Sequence, residues 1–473
     1  MGIATINPAT GETVKTFDSL SDAELEDKLE RASKAFGSYR LTAAEDRVRW
    51  LSAAADILDK ENAQIGELMT LEMGKTFAAA KAEAAKCGKA LRFFAQNGPA
   101  LLEPSPAEAG AVGAENAYVA YQPIGVVLAI MPWNFPLWQA MRFAAPALMA
   151  GNVGLLKHAS NVPQTALYME DLFRRAGFPD GVFQTLLIGS SDVEKVLRDG
   201  RVAAATLTGS NAAGQAVAAV AGDVLKKTVM ELGGSDPFVV MPSADLDKAA
   251  EVATTARCQN NGQSCIAAKR FIVHEDVADE FERIFAGKLA ALPVGDPMDD
   301  ATKVGPLATE SGRSDVEELV KDAVDKGARV VTGGQRPDRP GWFYPPTLVA
   351  DITPEMRMHR EEVFGPVASL YRVPDLDAAV ALANDTPFGL GSNIWTDVPE
   401  EQERFIRDVE AGMVFVNGMT TSYPELPFGG VKESGYGREL TELGMREFMN
   451  IKTVWVGANS GSQQSPGTES ANE

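Results

Sequence analysis

The chain has 473 residues, 45% hydrophobic and 23% charged, an ordinary balance for a soluble globular protein too long for one core, so two or three domains are expected. Aspartate and glutamate outnumber lysine and arginine by 65 to 44, and the net charge of −21 repels phosphate backbones and anionic lipid heads, which argues against nucleic-acid and membrane partners. Three cysteines (87, 258, 265) are too few for a disulfide framework, and three histidines (158, 274, 359) cannot assemble a multi-histidine metal site, so no metal is expected and any catalytic base is something other than imidazole.

The N-terminus lacks a charged segment followed by an apolar run, and the longest apolar run, 125–131, is far short of the ~20 residues a membrane-spanning helix needs. A reducing cytoplasm is the expected location, where Cys265 remains a thiol. From 20 to 98 the pattern is helical and charged. There Thr42-Ala43-Ala44-Glu45 reads as a capping box, and Val48, Leu51, Ala55 and Leu58 share one face.

Two β-rich runs, 118–121 and 126–130, come next, separated by Gln-Pro-Ile-Gly. The following residues alternate strands with helices: a strand at 153–157, a helix at 164–175, a turn at 178–181 and a strand at 182–187. A strand at 203–207 ends at Thr208-Gly209-Ser210 before an alanine-rich helix. That alternation predicts βαβ units and a parallel sheet, the usual host of a nucleotide cofactor. Gly209 to Gly214 fails the G-x-G-x-x-G fingerprint, although a glycine before a helix N-terminus can still meet a phosphate. A second α/β half follows, with β-like runs at 229–234, 238–240, 270–273 and 330–331 and helices at 277–291 and 316–326. There is no internal repeat, and the polar segment 458–473 reads as a disordered tail.

Three residues stand out chemically. Cys265 ends the polar stretch Asn260-Asn261-Gly262-Gln263-Ser264, whereas Cys87 reads as inert packing. A free thiol has a pKa near ~8.5, and its thiolate can attack an aldehyde to give an alkoxide that loses hydride and leaves a thioester. Such a route needs an oxyanion donor and a base for the hydrolytic water. Glu231, after an apolar strand and before Leu232-Gly233-Gly234, is the candidate base, its pKa raised by desolvation. Asn134, between the prolines of Pro132-Trp133-Asn134-Phe135-Pro136, is the candidate donor, a role worth roughly 3 kcal/mol. Taken singly, Glu231 reads rather as a surface glutamate near a turn, and Asn134 reads equally as part of a rigid proline-rich turn.

Together these motifs resemble the aldehyde dehydrogenase family almost end to end. The matches are PWNFP at 132–136, TGS at 208–210, ELGG at 231–234, GQSC at 262–265, EEVFGPV at 361–367 and PFGGVKESGYGRE at 427–439. The resemblance implies an α/β protein made of a Rossmann-like dinucleotide-binding domain (1–104 and 124–231), an α/β catalytic domain (232–448) and a small antiparallel β oligomerisation flap (105–123 and 449–457). The two β-rich runs fit that flap, and a homodimer or homotetramer is expected because exposed strand edges need partners.

It also implies Cys265 as nucleophile, Glu231 as base, and Asn134 with the Cys265 amide as oxyanion hole. Glu362 and Phe364 would hold the nicotinamide ribose and ring, Lys157 the adenosine ribose, and Gly209 and Ser210 the pyrophosphate. Leu232 would line the cofactor and Trp133 belongs to the same set. Ser160 stands where some members carry a glutamate that repels a 2′-phosphate, so NADP⁺ is expected to be preferred, with NAD⁺ possible.

Among family members the chain is most similar to bacterial succinate-semialdehyde dehydrogenases, especially at 131–142 and 231–238. Arg142 falls where those enzymes place a basic residue for the substrate carboxylate, a role suited to a bidentate guanidinium. Gln259 replaces an arginine found in some of them, leaving Ser422 as a further contact. Ala267 replaces a cysteine used elsewhere for disulfide switching. A broader semialdehyde or aliphatic aldehyde dehydrogenase is the alternative. Glu231 argues against a CoA-acylating enzyme, and the presence of Cys265, Glu231 and Asn134 argues against a non-catalytic homologue.

Overall fold

The computed structural model describes residues 2–458. Its first half is organised on a six-stranded sheet whose order is Gly435–Tyr436, Lys227–Glu231, Val202–Thr208, Val126–Met131, Val153–His158 and Phe183–Thr185. All neighbours are parallel except Gly435–Tyr436 on Lys227–Glu231. The chain starts this sheet at Val126–Met131, winds outward to one edge, and returns to the other side at Val202–Thr208. The winding direction therefore reverses between those two strands. In such sheets ligands settle in the crevice at the carboxyl ends of the strands at that reversal. The residues that follow the two strand ends are Pro132-Trp133-Asn134 and Gly209-Ser210.

The run Val-Val-Leu-Ala-Ile-Met at 126–131 is continuously apolar because helices cover the sheet on both faces. This corrects its expected place: 118–121 lies in a small antiparallel sheet, but 126–130 is central to the parallel one. The helix Trp138–Ala150 leaves the same strand with all thirteen residues buried. It packs on the helix Phe77–Leu101.

The second half is built on a seven-stranded sheet, in the order Arg329–Thr332, Thr347–Ala350, Val367–Val373, Ala268–His274, Asp236–Val240, Asn393–Trp395 and Phe415–Val416. Alternate residues feed separate cores: Val239, Ile272 and Ile394 on one face, and Phe238, Val240, Phe271, Val273 and Trp395 on the other. A third sheet joins Met449–Val456, Asn116–Pro123 and Ser105–Pro106, all antiparallel. Its outer strand leaves Ile451 and Trp455 more than half exposed.

Two readings of local structure differ from the sequence-based expectation. The helix Ala44–Lys60 has no side-chain cap. Thr42 is occupied otherwise, donating to the Tyr39 carbonyl at 2.7 Å and accepting from Arg47 Nε at 3.0 Å. The capping box sits instead at Ser21 and Glu24, opening the helix Asp22–Tyr39. The hairpin Ile3–Asn7 with Glu12–Phe17 went unread because polar and apolar residues do not alternate cleanly in it. The polar segment expected to be disordered lies outside the described residues apart from Ala458.

Candidate active site

Cys265 follows a short 3-10 turn, Gln259–Gly262, and precedes the strand Ala268–His274 of the second sheet. Asn260, Asn261 and Gly262 all have positive φ (54°, 58° and 76°), a run that asparagine tolerates and glycine prefers. A Cβ on Gly262 would lie 2.3 Å from the Gly365 carbonyl carbon, so the turn closes only around a glycine.

Polar side chains fix this loop. Asn261 Nδ2 donates to the Gly74 and Pro306 carbonyls, each at 2.9 Å, while its Oδ1 accepts from the Gly305 amide at 2.8 Å. Asn260 Nδ2 donates to the Asn134 carbonyl at 2.7 Å and the Gln263 carbonyl at 3.0 Å. Lys269, buried, donates to the carbonyls of Ser264 and Cys265 (both 2.8 Å) and ion-pairs with Glu362 at 3.1 Å. Asn134 Nδ2 uses one proton on the Gln263 carbonyl at 3.1 Å and keeps a second for another acceptor.

Two cavities meet at Cys265. One, of about 280 Å³, is lined by Trp133, Asn134, Thr208, Gly209, Ser210, Leu232, Gly233, Glu362 and Phe364. It opens at the strand ends of the winding reversal. The other, of about 230 Å³, contains Lys86, Trp138, Arg142, Gln259, Ser422 and Phe428. Only Cys265 and Gln139 line both.

The expected cofactor residues Trp133, Gly209, Ser210, Leu232, Glu362 and Phe364 thus share one cavity with Asn134 and Cys265. Trp133 and Phe364 meet edge to face at 5.7 Å. The cavity fits a dinucleotide end chemically: Thr208 Oγ1 is buried there without a partner, and aromatic and aliphatic walls suit a flat ring. Lys157 and Ser160 are not on this wall. Lys157 lies in the neighbouring strand, opposite Ile130, and Ser160 follows that strand's end. The expected substrate residues Arg142, Gln259 and Ser422 all line the second cavity.

Close packing explains the paired glycines. A Cβ on Gly233 would come within 2.8 Å of Glu362, and one on Gly234 within 2.6 Å of the Cys265 carbonyl. Glu231, just before them, is buried with both carboxylate oxygens unpartnered.

Electrostatics set the resting protonation. Burial pushes the Cys265 thiol up to about 12, against the pull of Arg142 and Lys269. Burial also raises the Glu231 carboxyl well above its ordinary range, and the neighbouring Glu439 raises it further. Glu439 itself pairs with Arg142 at 2.7 Å. His158 is no base here: burial lowers it to about 4, and its ring bonds the Pro136 carbonyl at 2.8 Å.

Several residues of the site were not singled out from the sequence. Gln139 is buried with Oε1 unpartnered. Lys269 stands four residues after Cys265, and Glu439 is the last residue of a quoted motif, so position alone could have flagged both. Lys86 carried no signal. It sits in a charged, alanine-rich helix that reads as a structural layer. Cys258 and Cys87 are buried free thiols, which fits packing.

Residues 1–454 match the aldehyde dehydrogenase family. The chain is 63% identical over 470 residues to the succinate-semialdehyde dehydrogenase (NADP⁺) of Mycobacterium avium, covering 99% of this chain and all of the relative. It is 64% identical over 456 residues to succinate-semialdehyde dehydrogenase (NADP⁺) 1 of Mycobacterium tuberculosis, covering 96% of this chain and 100% of that one. The crystal structure of succinic semialdehyde dehydrogenase from Streptococcus pyogenes in complex with NADP⁺ superposes with a TM-score of 0.94 at 39% identity, over 96% of this chain and all of that one.

Two outcomes are expected of this site. A thiol held near pKa 12 gains thiolate about tenfold per pH unit below that value, so Cys265 alkylation by iodoacetamide, followed by peptide mass spectrometry, should accelerate steadily from pH 7 to 9. A rate already at its plateau by pH 8 would contradict the raised pKa. Gly262→Ala should lower turnover by up to about a hundredfold through displacement of the nucleophile loop. Circular dichroism should report an intact fold, and unchanged turnover would mean the loop relaxes freely.

Proposed function

The chain belongs to the aldehyde dehydrogenase family, and on that footing we propose that it oxidises succinate semialdehyde to succinate with NADP⁺. The observation that carries the reading is the placing of one cysteine between a cavity at the strand ends of the parallel sheet and a cation-bearing one. The named activity of the Mycobacterium relatives and the NADP⁺ bound in the Streptococcus structure support it.

In this reading Cys265 gives up its proton to solvent water, and its thiolate sulfur attacks the aldehyde carbon. The second proton of Asn134 Nδ2, a side chain held by its bond to the Gln263 carbonyl, and the Cys265 backbone N–H hold the resulting oxyanion. When bound, NADP⁺ supplies the hydride acceptor. A thioester then remains on Cys265. Glu231, in its ionised form, takes a proton from the water that hydrolyses it, and the acid leaves as the carbon–sulfur bond breaks and Cys265 regains its thiolate. The raised pKa of Glu231 suits it to that transfer, because a buried carboxylate without partners is a stronger base than a solvated one.

Trp133, Leu232, Glu362 and Phe364 would hold the nicotinamide half and Gly209 and Ser210 the pyrophosphate. Lys157 and Ser160 would meet the adenosine ribose, where a serine rather than a glutamate at position 160 would admit a 2′-phosphate. Arg142, Gln259 and Ser422 would face the substrate. The six-stranded sheet would be the dinucleotide-binding domain, the seven-stranded one the catalytic domain, and the three-stranded one an oligomerisation flap. The exposed Ile451 and Trp455 on the flap's outer strand favour a homodimer or homotetramer. No described helix is long and apolar enough to cross a membrane, and the proposed compartment is the cytoplasm.

Nicotinamide reduction followed at 340 nm on the purified protein tests the function, with succinate semialdehyde against propionaldehyde and NADP⁺ against NAD⁺. Turnover should be fastest with succinate semialdehyde and NADP⁺. Equal rates on both aldehydes would remove the carboxylate requirement, and no reduction with either would sink the enzyme itself. Ser160→Glu should lower the NADP⁺/NAD⁺ ratio of kcat/KM by roughly tenfold or more, since a carboxylate beside a phosphate repels it. An unchanged ratio would remove Ser160 from cofactor choice.

A further inference from the structure

Three ionic groups face the cavity that holds Cys265 away from the cofactor side, and two of them are already balanced. Arg142 is ion-paired through Nε with Glu439 at 2.7 Å, its Cζ stands 4.2 Å from the centre of the Phe428 ring, and its Nη2 is buried without a hydrogen-bond partner. Glu83 pairs with buried Lys75, and its Oε1 accepts from the backbone amides of Leu137 (2.9 Å) and Trp138 (2.8 Å). Lys86 makes no ion pair among the described residues, although it lines the same cavity.

Its contacts are specific. Lys86 Nζ donates to Ser422 Oγ at 2.8 Å and rides over the Trp138 ring at 4.4 Å. Trp138 Nε1 donates to the same Ser422 Oγ at 3.0 Å. A hydroxyl oxygen has two lone pairs and one proton. Both lone pairs are spent on Lys86 and Trp138, so the Ser422 proton has to point elsewhere. An ammonium has three protons, and one of the three on Lys86 is used. The cluster therefore offers spare donors, a net positive charge and no free acceptor, in a half-buried setting where charge is weakly screened. An ionised carboxylate is the complement: acceptor only, with a single negative charge.

We propose that Lys86, with the hydroxyl of Ser422 that it and Trp138 orient, is the receptor for the distal carboxylate of the substrate, and that Arg142 serves chiefly as the partner of Glu439. This rests on the semialdehyde reading above and assigns its specificity to a residue of the Phe77–Leu101 helix. The positive charge of the cavity then depends on one lysine. Burial, with Arg142 next, lowers that lysine to about 8, while Cys87 and Glu83 on its own helix work in the opposite direction. Its charge is present below that pH and lost above it, so selectivity for the charged aldehyde should fade as pH rises through 8.

The test compares kcat/KM for succinate semialdehyde with that for butanal, in the full-length enzyme with NADP⁺. In Lys86→Met the ratio should fall by on the order of tenfold or more, with the loss in KM, and Lys86→Arg should restore most of it. In the wild type the KM for succinate semialdehyde should rise between pH 7 and 9 relative to that for butanal, a readout needing no variant to fold. A wild type that does not favour succinate semialdehyde at pH 7 overturns the substrate reading and this receptor with it. A selective wild type whose ratio survives Lys86→Met, is flat from pH 7 to 9, or collapses only in Arg142→Met overturns the receptor alone.

Discussion

The site depends on how one left-handed turn is held. Asn260, Asn261 and Gly262 leave the loop without regular backbone pairing, so the surrounding carbonyls and amides need other partners. Asn261 supplies them from one side chain, bridging carbonyls at Gly74 and Pro306 and the amide of Gly305. Asn260 does the same toward Asn134. Because the bonded segments come from distant parts of the chain, the cysteine loop can be correct only when the helical layer, the first sheet and the second sheet are all in place. Such a network rigidifies when every member is satisfied and is costly when one is lost, since each orphaned buried group carries its own desolvation penalty.

Lys269 extends that logic from position to charge. Its ammonium binds the carbonyls of Ser264 and Cys265 and at the same time faces Glu362, so the Cys265 loop and the acid of the neighbouring cavity share one buried cation. The glycines Gly233 and Gly234 permit the approach, because a side chain on either would strike Glu362 or the Cys265 carbonyl. The result is a thiol that rests protonated beside a Glu231 carboxyl that also favours its proton. A resting thiol is protected from adventitious oxidation.

Much of this was legible in the sequence. The continuous apolar run at 126–131 and the strand–helix alternation after it predict a parallel sheet, and six of the expected residues, Trp133, Gly209, Ser210, Leu232, Glu362 and Phe364, line one cavity at its winding reversal, whereas Lys157 and Ser160 lie off it. The failed glycine fingerprint is also intelligible: Gly209 and Ser210 sit on a strand end whose neighbour supplies Trp133 and Asn134, so side chains complete a wall that backbone glycines would otherwise form. Less visible were features set by long-range packing. The capping box at 42–45 failed because Tyr39 and Arg47 engage Thr42 first. The assignment of 126–130 to a flap failed because two β-rich runs joined by a tight turn look alike until their partners are known.

Lys86 marks the deeper limit. Overall charge governs the far field, and at −21 this protein repels anions at long range. Screening confines that repulsion to about 8 Å at physiological ionic strength, so it hardly reaches inside a half-closed cavity. There the sign follows from local pairing: Arg142 is offset by Glu439 and Lys75 by Glu83, and a single lysine is left over. No periodicity or motif encodes such a remainder, because it is the difference between ion pairs made by residues scattered from position 75 to 439. An acidic protein can therefore present a cationic pocket to an anionic substrate, and only the list of who pairs with whom reveals it.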